Sequence, residues 1–247
     1  MGQFAGATLI AAQDLYSESS VRQHRLGQLA LDNFGNRFRY VKAGAVALVT
    51  GHLLQETAED TNFRSMVVQA AAAIGDTAIA VTLGGTAVTA ELFNDGILLV
   101  ESSTGLGQKF NIVSHTVQTS TTGTCTFTVD RPLKVALTTS SQVTVRKNPY
   151  DGVIDNPVTA TGNVVGVALY AMTIAYYGWV QTGGDCGVLF DAGVNTSAGV
   201  QGIMPSVGVA GSVSPAAAAD VSPTQIGFAR EVASTDSTFG IAHLTID

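Results

Sequence analysis

Three observations predict an all-β fold, mainly antiparallel and barrel- or sandwich-like. Apolar and polar residues alternate with a period of two in short runs, most plainly in Thr124-Cys125-Thr126-Phe127-Thr128-Val129, where the threonines share one face and Cys, Phe and Val the other. Turn chemistry separates such runs roughly every 8–12 residues, the spacing of a sandwich or barrel rather than of a parallel α/β sheet. The chain is also rich in glycine, with 27 in 247 residues, and its longest uncharged stretch, 156–184, is dominated by β-branched and aromatic residues interrupted by glycines.

Taken in order, residues 20–31 have the loose apolar spacing of a short helix within an N-terminal arm. Asn33-Phe34-Gly35-Asn36 is a turn, because Asn and Gly tolerate left-handed backbone angles. Arg37-Phe38-Arg39-Tyr40-Val41 reads as a strand with basic and aromatic side chains on opposite faces, continued by a buried run over 43–48 and ended at Gly51. Glu56, Glu59 and Asp60 mark a solvated connection. A strand begins at Met66. Helix propensity favours residues 69–73, Gln69 followed by four alanines, but the surrounding texture assigns them to a strand. A further strand covers 77–83, and Asn94-Asp95-Gly96 turns the chain between runs at 90–93 and 97–100. The run at 124–129 has a matching partner in Val143-Thr144-Val145. Residues 151–161 look like a linker or long loop, and 164–180 like one or two fully buried strands. Ser214 and Pro215 would open a short helix over 214–220. The last strands fall at 226–228 and 239–246. The expected organisation is an N-terminal arm and first strand (1–60), a β domain (61–157) and a C-terminal β region (158–247), the last interleaved with the N-terminal part or separate from it.

Composition excludes several functions. Only 13% of residues are charged, about half the ~25% usual for soluble domains, and 12 basic against 19 acidic residues leave a net charge of −7. Such a chain lacks the broad positive footprint of a nucleic-acid binder, while 46% hydrophobic residues argue against disorder. Residues 1–12 have no basic leader and no secretory signal is expected; the sequon Asn195-Thr196-Ser197 is uninformative without one. A membrane span is not expected, because glycines and polar residues break the uncharged stretch.

No nucleophile elbow, phosphate loop or zinc helix occurs. The histidines (His24, His52, His115 and His243) are too far apart in sequence for a local metal clamp. Cys125 and Cys186 read as buried thiols, although the sequence leaves one bridge open. No catalytic residue, cofactor or metal ligand is therefore assigned. Tyr170, Tyr176, Tyr177 and Trp179 form the densest aromatic group, either a sugar-stacking platform or, the commoner role, core or interface packing. The basic residues gather near the N-terminus: Arg22, Arg25, Arg37, Arg39 and Lys42, against Asp32 alone. A surface this poor in charge costs little to desolvate and suits burial in a permanent assembly.

Four segments carry a family resemblance. They are Phe34-Gly35-Asn36-Arg37-Phe38-Arg39-Tyr40-Val41-Lys42-Ala43-Gly44, Ile74-Gly75-Asp76-Thr77, Asn148-Pro149-Tyr150-Asp151-Gly152-Val153 and Tyr176-Tyr177-Gly178-Trp179-Val180-Gln181-Thr182-Gly183-Gly184. In order and spacing they resemble the capsid decoration (cement) proteins of tailed bacteriophages that contain a β-tulip domain. The resemblance implies a virion structural protein without catalysis or cofactor. It implies a homotrimer on the capsid exterior that bridges subunits of the major capsid protein, with no nucleic-acid or membrane partner. Arg22, Arg25, Arg37, Arg39 and Tyr40 would then make capsid contacts from an arm reaching across the shell. The competing expectations are a tail or fibre subunit, and a carbohydrate-binding β module using Tyr176, Tyr177 and Trp179.

Overall fold

The computed structural model describes residues 7–9, 15–191, 201–216, 225–231 and 237–247. The sequon at 195–197 and residues 217–220 of the expected helix lie outside them. Among the described residues the chain is all-β and mainly antiparallel, with no helix of seven or more residues. The strands are β1 (Ala7–Leu9), β2 (Leu29–Leu31), β3 (Arg37–Ala43), β4 (Leu53–Gln55), β5 (Met66–Val67), β6 (Ala78–Thr82), β7 (Ile97–Ser102), β8 (Lys109–His115) and β9 (Thr124–Val129). They continue with β10 (Gln142–Arg146), β11 (Asp151–Asp155), β12 (Val164–Ala168), β13 (Tyr177–Phe190), β14 (Gln201–Pro205), β15 (Val213–Pro215), β16 (Gly227–Ala229) and β17 (Thr238–Thr245).

The chain divides into two compact units: unit 1 is Met1–Ala58 with Pro149–Asp247, and unit 2 is Glu59–Asn148. Unit 2 is therefore inserted between β4 and β11, which pair antiparallel with each other in unit 1 (Ile154 opposite Gln55, Asp155 opposite Leu54).

Unit 2 is one six-stranded sheet in the order β5-β10-β7-β8-β9-β6, with every pairing antiparallel. A bridge between Val68 and Val81 brings its two edges together, reinforced by the Gln69 N–H donating to the Ala80 carbonyl at 2.8 Å. Alternation builds the interior: Ile79 and Val81, Leu98 and Val100, Phe110 and Ile112, Cys125, Phe127 and Val129, and Val143 and Val145 all point inward and are buried. Phe127 is central, with Phe93 edge-on at 5.8 Å.

Among its described residues unit 1 contains two closed rings of five strands that share β13. The first runs β3-β11-β4-β12-β13 and back to β3; the second runs β13-β15-β14-β16-β17 and back to β13. Strand direction cannot alternate all the way round an odd ring, so each must contain a parallel pairing. These are β3 with β11 and, at Phe190 opposite Val213, β13 with β15. Each ring encloses its own core: Val41, Leu54, Val153, Val165 and Val180 in the first, and Cys186, Val188, Phe190, Ile203, Val213 and Leu244 in the second. One 14-residue strand serves both because it bends between them. The register shifts between Gln181 and Gly183, and Gly184 takes φ of +86°. There a Cβ would meet the Asn36 side-chain oxygen at 2.1 Å, so only glycine fits. The buried Gln181 amide holds the bend by donating to the Gly183 and Asp185 carbonyls at 3.1 and 2.9 Å.

Several local expectations are corrected. Residues 20–31 are turns followed by β2, not a helix, and residues 45–47 are exposed rather than part of a buried run. Glu56 is buried, accepting hydrogen bonds from the Asn163 backbone and side chain at 3.2 and 2.6 Å. Residues 69–73 form no strand, with a bend at 69–70 and only an isolated bridge from Ala72 to Leu137, residues 90–93 are a turn, and β10 pairs with β5 and β7 while β9 lies between β6 and β8. The supposed linker at 151–161 begins with β11, and Ser214 and Pro215 belong to β15.

Candidate interaction surface

The basic segment is held against the first ring of unit 1. Beyond Leu15, which is buried, the chain runs over β3 and β13. Ser19 and Tyr177 exchange two backbone hydrogen bonds of 2.9 Å, and the Glu18 carboxylate accepts from the Thr173 N–H and hydroxyl at 2.6 and 2.7 Å. His24 places its ring 5.0 Å from Tyr40 and 5.1 Å from Trp179. Residues 15–31 are thus a strap over the protein's own sheet, which corrects the expectation of an arm reaching outward. An amphipathic strand with an aromatic face leaves that face to be covered, and this segment covers it.

The expected contact residues separate accordingly. Tyr40 is 2% exposed, opposite Trp179 in the ladder, and its hydroxyl accepts from the Gln23 N–H at 3.1 Å; burial raises its pKa above the ordinary phenol value. It is a core residue, and the expectation of a surface contact is corrected. Arg39 is committed within the chain: its Nε donates to Asp247 at 2.6 Å, a terminal nitrogen donates to the Gly27 carbonyl at 2.8 Å, and its guanidinium lies 6.0 Å from the Tyr150 ring centre. Burial pushes the Asp247 carboxyl upward, but its bond to Arg39 and the nearby positive charges hold it below the usual carboxylate range. Arg37 is exposed and donates to the Asp247 carbonyl, Arg22 donates to the His24 carbonyl at 2.9 Å, and Arg25 is exposed.

The aromatic group is divided. Trp179 is 3% exposed and packs with Leu15, Ala30, Phe38 and Tyr40, with Tyr177 against them. Tyr170 and Tyr176 pack against the first ring's core. Trp179 therefore takes the packing role, and a sugar-stacking platform built on it is overturned by its burial.

The titratable groups make short, separate pairs. His52 meets Asp155 at 2.7 Å and His243 meets Asp185 at 2.7 Å, with Arg230 on the same carboxylate at 2.9 Å. Among the described residues no hydroxyl or thiol bonds to either imidazole, and no cluster of three His, Cys, Asp or Glu residues could hold a metal ion. His115 is part-buried, its Nε2 accepting from the Phe93 N–H at 3.1 Å. Cys125 and Cys186 are free and buried; burial raises both thiol pKa values, that of Cys186 to about 12, so neither is a thiolate at neutral pH.

Phe34 went unnoticed in the sequence as a contact residue. It is 92% exposed at the tip of the turn between β2 and β3. Asp32 fixes that turn: its carboxylate accepts from the Phe34 N–H at 2.9 Å, the Asn36 N–H at 2.9 Å and the Asn36 side chain at 2.7 Å. The signal was present in the Asp-Asn-Phe-Gly-Asn pattern, where a large apolar residue occupies a tip that cannot bury it.

Compared with known proteins, the chain matches no family model, no curated protein and no solved structure. Among the described residues no helix is long and apolar enough to cross a membrane.

Proposed function

We propose that the chain is a virion structural protein that binds the outer surface of an icosahedral phage capsid as a trimer and stabilises the shell by bridging major capsid subunits, without catalysis or cofactor. On the same reading it carries a β-tulip. One observation supports this above the others: a fully exposed Phe34 on a turn locked by Asp32, with exposed Arg37 three residues on. Fixing the backbone of the turn before contact lowers the ordering cost of docking the aromatic side chain it presents. Arg37 beside the turn, with Arg22 and Arg25 elsewhere on the same segment, would steer the protein toward an acidic surface more than they add affinity. Three copies per trimer multiply modest contacts through effective concentration, and preferential binding to the assembled lattice stabilises that lattice by mass action.

The test is binding to expanded, undecorated heads of the phage that encodes the chain. Wild-type protein should saturate them. Phe34→Ser should weaken binding about ten-fold or more, and replacing Arg22, Arg25 and Arg37 with Ser should slow it mainly at low salt. Heads that take up no protein at micromolar concentration would overturn the proposal.

A further inference from the structure

From the loops at one end of unit 2 we infer a docking surface for a second copy of this chain. Following the six strands up and down, the loops at 68–77, 103–108 and 130–141 all emerge at one pole, whereas both crossings to unit 1 leave from the other. This pole presents Ile74, Leu106 and Val135 at 69%, 67% and 46% exposure, with Ala71 and Ala73 exposed beside Ile74.

These loops are already ordered. Ala72 and Leu137 exchange backbone hydrogen bonds of 3.0 and 2.8 Å, the Gly75 N–H donates to the Leu133 carbonyl at 3.0 Å, and the Leu133 N–H returns a bond to Asp76 at 2.9 Å. On the other side the Gln108 amide clamps the 130–141 loop, accepting from the Lys134 and Val135 N–H groups at 2.9 and 3.1 Å and donating to the Val135 carbonyl at 3.0 Å. The apolar tips thus stand on a hydrogen-bonded base, and covering alanine costs no side-chain entropy. A contact there gains apolar burial while ordering little that is not ordered already.

Charge identifies the occupant. The three loops contain Asp76, Asp130, Arg131 and Lys134, two acids and two bases, so the pole is neutral and the whole net charge of −7 lies elsewhere on the chain. Exposed Asp76 and Lys134 on one pole also supply both signs, so that Asp76 of each copy can face Lys134 of the next around a three-fold contact. A strongly acidic or basic partner would find no matching field at this pole.

This inference rests on the self-association within the function proposed above, and the two can fail separately. Sedimentation velocity of the full chain from nanomolar to high-micromolar concentration should show a reversible oligomer. The double variant Ile74→Asp/Leu106→Asp should raise its dissociation constant about 100-fold while keeping the wild-type thermal transition, since both side chains are exposed. Lys134→Glu, which takes the pole from neutral to −2, should weaken association about ten-fold at low salt and less at high salt. Val113→Asp, exposed on β8 in the wall of the same unit, should leave association unchanged. A wild-type chain that stays monomeric throughout, or an oligomer indifferent to the double variant, overturns the inference. Head binding by a monomer would sink this contact and the trimer and leave only the capsid binding of the reading above; an oligomer that ignores heads would do the reverse.

Discussion

Unit 2 closes an even ring and unit 1 closes two odd ones, and much else follows from that difference. Six strands can alternate in direction all the way round, so unit 2 is assembled from antiparallel neighbours drawn from one continuous segment, Glu59–Asn148. Each five-stranded ring of unit 1 needs a parallel pairing, and β3 must meet β11 and β13 across the whole insertion. Such distant pairings carry a larger loop-closure cost before they are rewarded. The shared β13 adds a second demand, a bend that unit 2 does not need.

The cysteines provide a way to break the comparison, because each unit carries one buried thiol, Cys125 in unit 2 and Cys186 in unit 1. Phe127→Ala should have the largest effect, about 3–5 kcal/mol, since it empties a fully buried aromatic site. If the units are energetically separate, a thiol reagent will find Cys125 sooner in that variant and Cys186 at its wild-type rate; equal acceleration of both would show one cooperative structure.

Gly184→Ala should cost about 1–3 kcal/mol, from its left-handed backbone and the close approach of Asn36. Here Cys186 should become the more reactive thiol. An unchanged melting temperature and unchanged labelling would mean that the bend in β13 is not where the two rings are coupled.

The smallest effect concerns the ion pairs that tie the start of unit 2 to β10. Glu59 bridges Arg64 and, at 2.8 Å, Arg146 on β10. The Arg64 hydrogen bond outweighs the opposing effect of burial and, with Arg146, holds the Glu59 carboxyl at about 2. A carboxylate with a lowered pKa stabilises the fold above its ordinary value of 4.5, and that contribution fades as the pH falls from about 4.5 toward about 2. Glu59→Gln should therefore cost about 0.5–1 kcal/mol at pH near 7. The gap from wild type should narrow progressively in acid; a gap independent of pH would assign the loss to packing instead.

Local alternation made β3, β6, β9 and β17 legible in the sequence, because a period of two is written into neighbouring residues and needs no partner to be read. The turns at Asn36 and Asp95 were legible for the same reason, since Asn, Asp and Gly adopt their backbone angles without tertiary help. The free, buried cysteines also followed from residue type. Pairing did not: β10 offered a good match for β9 in pattern, yet ring closure placed it between β5 and β7. Four consecutive alanines could not announce a hydrogen-bonded loop that buries only Ala72, because helix propensity of a few tenths of a kcal/mol per residue is weak against the backbone bonds that tie Ala72 to Leu137. Tyr40 and Arg39 looked alike as surface contacts until packing turned one inward beneath the N-terminal strap and tied the other to Asp247. Side-chain chemistry and short-range periodicity are carried by the chain itself. Which strand meets which, and which face is covered, depends on segments far apart in sequence whose contacts exist only once the rings have closed.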